Sequence, residues 1–423
     1  MNLTTINASR VMARIDRLAQ IGKISDTGVC RLALTVEDRL AVELAKAWME
    51  EAGMSARIDA FGNLIGRLEG RDPSLPVLML GSHIDTQPYA GRFDGIVGVI
   101  GALETVQTIA DNGWVPEAPI EVVSFCDEEG CRFNKGLFGV RGMLGKLEDG
   151  ELDRTDKNGT TRREALLAFG GNPDKFAEDV RKPGGIAAFL ELHIEQGPVL
   201  ESLGKPVGIV TGISGPLWWT VDLRGFAGHA GSVPMPMRRD ALVGAAKVVV
   251  GLQALASSAK GAPTVGTVGS LKVFPDSRNI IPEHVQFTVD LRDIDIARRD
   301  LLEKQLRGLL EAVCREHGLT YAIREDTNSE PRYCADWIMR TIREAAGDLG
   351  VESPPELMSG PFHDSLSMSY ACDYGMIFVR CRDGISHNPQ EYASAEDIAA
   401  GTELLYRTVL RMSGLAGRGR GGG

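Results

Sequence analysis

Four short stretches of this sequence place residues of metal-ligand type directly after an apolar run. Pro76–Leu80 (PVLML) leads into Gly81-Ser82-His83-Ile84-Asp85, and Ile120–Phe125 (IEVVSF) into Cys126-Asp127-Glu128-Glu129. Ala188–Leu192 (AFLEL) runs into His193-Ile194-Glu195-Gln196, and Gly375–Arg380 (GMIFVR) leads to Gly384-Ile385-Ser386-His387. Continuous apolar runs of this length read as buried strands. Unpaired charge at the end of a buried strand is costly, and open α/β sheets build their sites at the carboxyl ends of strands. Asp94, in Arg92-Phe93-Asp94-Gly95, lies in a turn that opens a helix and brings a further carboxylate near His83. One carboxylate bridging two cations, each completed by a His and another ligand, is the shape of a two-metal hydrolytic site.

Taken singly, each residue has a plainer reading. A lone His at a strand end is a hydrogen-bonded residue, Glu128-Glu129 a solvated turn, and Asp85 a turn cap; four arrivals at one sheet edge read as a site. Cys126 and Cys131 flank Glu128-Glu129 as zinc ligands or a nucleophile, although Cys126 on an apolar strand reads as packing. Gly95, Gly98 and Gly101, three apart, suit close helix packing. Neither Gly-x-Ser-x-Gly, His-Glu-x-x-His nor a phosphate-binding Gly-Lys-Ser/Thr loop occurs, which disfavours serine hydrolase and nucleotide chemistry. His229, set among Gly and Ala in Gly225–Ser232, reads either as part of a Gly-rich hairpin or as a residue whose backbone approaches something closely. Asn279 is a weaker signal, Arg292 reads alone as a salt-bridged strand end, and His284 and His317 are assigned to the surface.

The elements that must position these groups read as α/β. Helical spacing covers 36–53, 95–109, 335 onward and 394–412, with short strands at 56–58 and 63–67 around the buried runs. Residues 146–184 are a charged, Gly-rich excursion with one helix near 163–169. From 212 to 328 the order changes to strand 217–223, helix 240–256, strands 264–273 and 285–291, helix 294–314 and strand 319–323, a ferredoxin-like α+β unit. The expected organisation is a discontinuous catalytic domain (1–211 and 329–412) with a central mixed sheet flanked by helices, an inserted domain (212–328), and a disordered tail (413–423).

The chain has 423 residues, 46 Lys+Arg against 57 Asp+Glu, and a net charge of −11. Its basic clusters are short, such as Arg162-Arg163 and Arg238-Arg239, which argues against nucleic acid. No apolar run approaches the roughly 20 residues that span a bilayer, Met1–Arg17 lacks the apolar core of a signal peptide, and seven Cys without Cys-x-x-Cys spacing fit a reduced, cytoplasmic protein.

From about residue 30 to 412 the chain resembles the hydantoinase/carbamoylase family of metal-dependent amidohydrolases, within the aminoacylase and carboxypeptidase-like superfamily of dinuclear metallopeptidases. The resemblance is carried by GSHIDT…FDGIVGVIGALE, CDEEGCRF, LELHIEQGPVLE, GHAGSVPMPMRRDA, NIIP…DLRD and GISHNPQEY. It implies two divalent ions (zinc, manganese, cobalt or nickel) on His83, Asp94, Glu129, His193 and His387, with Asp94 as the bridge. It makes Asp85 the carboxylate that orients His83, and Glu128 the general base. It gives His229 an oxyanion role across a homodimer, Asn279 and Arg292 the substrate carboxylate, and Gln196 a place beside metal and substrate. His363 joins the substrate-binding residues. The inserted domain becomes lid and dimerisation surface, hinged near 212 and 328. The implied activity is hydrolysis of a C–N amide bond in a small N-carbamoyl or N-acyl amino acid. An allantoate-type ureido hydrolase, an aminoacylase or dipeptidase, and a non-catalytic two-domain binding protein are the alternatives. Two departures stand out: Pro361-Phe362 in the loop before His363-Asp364 adds bulk that reshapes the pocket, and Arg92 adds a positive group beside the metals.

Overall fold

The apolar runs form the middle of a mixed sheet. A computed structural model describes residues 4–351 and 353–415. In the first of two units, formed by residues up to Thr211, Cys334–Leu357 and the chain from Phe362 onward, the strand order is Ser55–Ile58, Leu64–Leu68, Ile120–Phe125, Val77–His83, Ile186–Ile194, Asp373–Val379 and Val207–Ile213. Strands Val77–His83 and Ile120–Phe125 are buried throughout, which is why they read as unbroken apolar runs rather than alternating ones. The four strands from Ile120–Phe125 to Asp373–Val379 run parallel, so their carboxyl ends share one edge. His83 pairs with Phe125 and Ile194 with Val379, bringing the residues just beyond each strand to a common level.

Helix Ile96–Asp111 is buried on nearly every side. A Cβ at Gly98 would stand 2.4 Å from the Leu192 carbonyl, so the glycine lets the helix lie directly on strand Ile186–Ile194. Gly95 is not within that helix; it is its N-cap, with φ of 69°. Helix Ala395–Met412 packs beside it. Within the N-terminal stretch that the sequence left without an element lies a helix, Ala8–Leu18, capped by Asn7, whose Val11, Ile15 and Leu18 make one buried stripe. Of the expected tail, Leu415 is buried and donates its N–H to the Leu410 carbonyl, while residues 416–423 lie outside those described.

The second unit comprises Gly212–Tyr333 and Met358–Pro361, wider than 212–328. Tyr333 pairs with Gly212, the Ser214 amide bonds the Ser359 carbonyl, and Arg292 Nη1 bonds the Gly360 carbonyl at 2.7 Å. Its sheet runs Leu271–Phe274, His284–Asp293, Gly215–Arg224, Thr320–Asn328. Helices Ala241–Ala256 and Ile296–His317 pack on each other, and their buried side chains share one apolar cluster with the sheet. Strict alternation of burial along His284–Asp293 matches a sheet with one covered face. The expected single strand 264–273 is two, Val265–Thr267 and Leu271–Phe274, both pairing with His284–Asp293. His284 and His317 are not free surface residues. His284 Nε2 lies 2.6 Å from Asp222 Oδ1 with its ring stacked on Phe274, and His317 is partly buried.

Candidate metal centre

At the common strand edge the first unit gathers His83, Asp94, Glu128, Glu129, His193, Gln196, His363 and His387. His83 Nδ1 meets the Asp85 backbone carbonyl at 2.9 Å, and His193 Nδ1 meets the Ile194 carbonyl at 2.9 Å. Each contact assigns the proton to Nδ1 and leaves the Nε2 lone pair facing inward. Asp94 lies between the imidazoles, Oδ1 at 3.1 Å from His193 Nε2 and Oδ2 at 3.0 Å from His387 Nε2. The ligand atoms of His83, Asp94 and His193 all fall within 4.8 Å of one another, as do those of Asp94, Glu129 and His387. A third group, Glu191, His193 and His363, is spoken for: Glu191 accepts from Ser82 Oγ at 2.8 Å and from Ser365 Oγ at 2.6 Å.

Electrostatics show what the cluster requires. Burial opposes ionisation of Asp94, but its hydrogen bonds to His193 and His387 outweigh that and hold it well below the usual carboxylate range. Burial likewise opposes charging His193, yet Asp94 raises it to about 9; the Asp94 hydrogen bond raises His387 to about 9. Burial and the Asp94 charge push Glu129 up to about 8, and its Oε1 has no hydrogen-bond partner among the described residues. Buried carboxylates crowded around imidazoles that must take up protons call for positive charge at their centre. The donor set of imidazole nitrogen and carboxylate oxygen fits a divalent cation.

Glu128 Oε2 lies 3.8 Å from His83 Nε2. Burial, then the charges of Asp364 and Glu129, drive Glu128 well above its ordinary range. Asp85 meets His83 Nδ1 most closely through its backbone carbonyl, with its carboxylate Oδ1 3.8 Å from the same nitrogen, and that carboxylate accepts from the Glu128 and Glu129 amides at 3.2 Å each. Gln196, with φ of 55°, donates Nε2 to Asp94 Oδ2 at 3.0 Å and to Ser386 Oγ at 3.1 Å, and His387 has φ of 53°. Two neighbouring non-glycine residues in the left-handed region mark a place where geometry is imposed. His363 is buried with its ring edge-on to His193, centroids 4.4 Å apart; burial and the nearby imidazoles hold it well below its usual range. Arg92 turns away to Asp16 and the Asp26 carbonyl and adds no charge to the centre. Cys126 is buried, whereas Cys131 Sγ donates to Gln87, whose amide Nε2 donates to Glu129.

His229, Asn279 and Arg292 belong to the second unit. Strand Gly228–His229 pairs with Ile280–Ile281, and the Ala230 amide bonds the Asn279 carbonyl, so His229 and Asn279 share one ribbon. Arg292 grips Asp290 with Nε and Nη2, both at 2.9 Å, beside the Trp218 ring.

Sequence reasoning missed Glu391, Ser386, Gln87 and Asp364. Glu391 accepts from the Phe93 amide at 2.8 Å, the Asp94 amide at 3.2 Å and Ser386 Oγ at 3.0 Å, fixing the turn that presents Asp94. Its signal was a carboxylate four residues past His387. Asp364 is buried with both carboxylate oxygens lacking a hydrogen-bond partner among the described residues.

The profile of Peptidase family M20/M25/M40 matches residues 79–411. The chain is 46% identical over 413 residues to an N-carbamoyl-L-amino-acid amidohydrolase of Pseudomonas sp. (strain NS671), covering 97% of this chain and 100% of that one. It is 35% identical to a ureidoglycolate hydrolase of Arabidopsis thaliana, over 97% of this chain and 87% of the relative. A crystal structure of an amidase of the hydantoinase/carbamoylase family from Burkholderia multivorans matches at 36% identity and a TM-score of 0.90, covering 97% of this chain and 98% of that one.

Proposed function

The chain belongs to peptidase family M20/M25/M40, and on that premise we propose that it is a metal-dependent amidohydrolase that cleaves the ureido C–N bond of a small N-carbamoyl amino acid. The observation that carries this reading is the pair of three-residue ligand groups sharing Asp94, with Glu128 beside His83. The full-length likeness to hydrolases of carbamoyl amino acids supports the substrate class.

His83, Asp94 and His193 would hold one divalent cation and Asp94, Glu129 and His387 a second, from zinc, manganese, cobalt or nickel. When bound, such ions polarise the amide carbonyl and acidify the attacking water. Glu128, which burial makes a strong base, takes the proton from that water and passes it to the leaving nitrogen. Glu129 cannot share this task, because it is committed to Gln87 and to a cation. Gln196 holds Asp94 and His387 in place and faces the substrate, with His363 at the inner wall. In the second unit His229 stabilises the developing oxyanion, reaching the centre of a partner subunit. Asn279 and Arg292 take the substrate carboxylate, Arg292 through the bidentate fork it now offers Asp290. That unit serves as lid and dimerisation surface.

The test is ammonia release by metal-depleted protein, with and without added manganese or zinc. The panel is N-carbamoyl amino acids, allantoate and N-acyl amino acids. Metal-dependent ammonia from carbamoyl compounds is the expected result. Cleavage of N-acyl compounds alone would overturn the ureido assignment.

A further inference from the structure

We infer that Arg162 is a positioning residue of this centre, acting through Asp127 on the Glu128-Glu129 pair; the inference rests on the roles proposed for those two carboxylates. Arg162 opens helix Arg162–Phe169 within the 146–184 excursion, where an arginine at a first helical position ordinarily faces water. Here it is fully buried. Its Nη2 donates to Asp127 Oδ2 at 3.0 Å and to the Lys135 carbonyl at 2.7 Å, and Nη1 donates to Glu151 Oε2 at 2.6 Å. The guanidinium carbon lies 4.6 Å from the Phe138 ring centroid and 5.0 Å from that of Phe133.

These contacts span the two arms of one loop. Leu137 N–H bonds the Glu128 carbonyl at 2.9 Å, Phe138 N–H the Asp127 carbonyl at 3.2 Å, and Gly139 N–H the Cys126 carbonyl at 2.8 Å. Asp127 sits in the first arm with φ of 55°, a conformation disfavoured for a side-chain-bearing residue. Lys135 sits in the second arm, and a single Arg162 nitrogen ties both. Asp85 fixes the Glu128 and Glu129 amides, and Arg162 fixes the side chain of the residue before them. Among the described residues no hydrogen bond or ion pair joins Arg162 to a proposed ligand atom or to Glu128, so its influence passes through the backbone. A buried ion pair adds little net stability against an apolar pair of the same volume, and its best-attested use is to specify one arrangement.

The experiment uses the full chain and two readouts: zinc affinity by competition with a chromophoric chelator, and kcat with KM for a carbamoyl substrate. Arg162→Met is expected to bind zinc about 10- to 100-fold more weakly and to lose kcat by a similar factor, with KM within about threefold. Asp127→Asn should move both readouts in the same direction, and joining the two substitutions should add little to the larger effect. Should Arg162→Met not fold, Arg162→Lys keeps the buried charge without the fork and is read identically. Native-like zinc affinity and kcat in a folded Arg162 variant, whatever its melting temperature, would overturn the inference. If the native chain turns over no panel compound, the functional reading falls, while the chelator competition still decides the role of Arg162.

Discussion

Asp85 holds Glu128 by the backbone. Its carboxylate accepts the Glu128 amide at 3.2 Å and the adjoining Glu129 amide at 3.2 Å, while its own carbonyl takes His83 Nδ1 at 2.9 Å. One residue thus sets the angle of a proposed ligand from one strand end and of the proposed base and a second proposed ligand from the next. Asp85→Asn leaves the carbonyl in place but offers the two amides one acceptor oxygen instead of two. Turnover and metal affinity should each fall about 10- to 100-fold; steady-state kinetics with metal analysis check this, and unchanged values of both would refute it.

Glu128→Gln removes the proposed proton shuttle and leaves every proposed ligand. The variant should retain its metal and melting behaviour while kcat falls by about three orders of magnitude or more. Metal analysis beside single-turnover assays separates the two effects, and near-native turnover would dismiss Glu128 as the base.

His229→Ala should lower kcat with metal content intact. Mixing it with Glu128→Gln protein should restore part of the activity, since one hybrid site then carries both groups. Titrating the mixing ratio tests it, and absence of rescue at any ratio would count against action across a dimer.

Arg292→Lys keeps the charge but loses the fork. KM for a carbamoyl amino acid should rise about tenfold or more, equivalent to about 1.4 kcal/mol, with kcat little changed. An unaltered KM would remove Arg292 from carboxylate recognition.

Glu151 supplies a pH-dependent share of stability. Burial opposes its ionisation, but the hydrogen bond and charge of Arg141, with Arg162 and Lys135, lower it from 4.5 to about 2. A depressed folded-state value means the contribution is present above about 4.5 and fades as pH falls through 2. Glu151→Gln should therefore cost about 2–3 kcal/mol at neutral pH, with the gap to the native chain narrowed to less than about half by pH 3. Thermal melts at both pH values check it; a constant gap would contradict the assignment.

The sheet was legible because its inner strands are covered on both faces, so burial wrote itself into Val77–Leu80 and Ile120–Phe125 as unbroken apolar runs. His83, Glu129 and His193 were legible for a related reason, as polar residues following such runs are conspicuous. What stayed hidden depends on direction rather than residue type. Nothing in the sequence says that Asp85 turns its carbonyl to His83 and its carboxylate to the Glu128 amide. Arg162 read only as half of a short basic cluster because its partners Asp127 and Glu151 lie 35 and 11 residues away. Arg92 read as a neighbour of the metals by proximity to Asp94, yet its side chain leaves in the opposite sense toward Asp16. The helix Ala8–Leu18 was overlooked although Val11, Ile15 and Leu18 recur at helical spacing.

Gly95 closes against His83: a Cβ there would stand 2.5 Å from the ring Nε2. That nitrogen carries the lone pair the centre needs, so a single added carbon would evict the imidazole from its place. Position 95 has no functional group, donates nothing to substrate and holds no charge. A saturation library selected for activity would nonetheless rank it with the histidines and carboxylates, because here an empty volume is as indispensable as a donor atom.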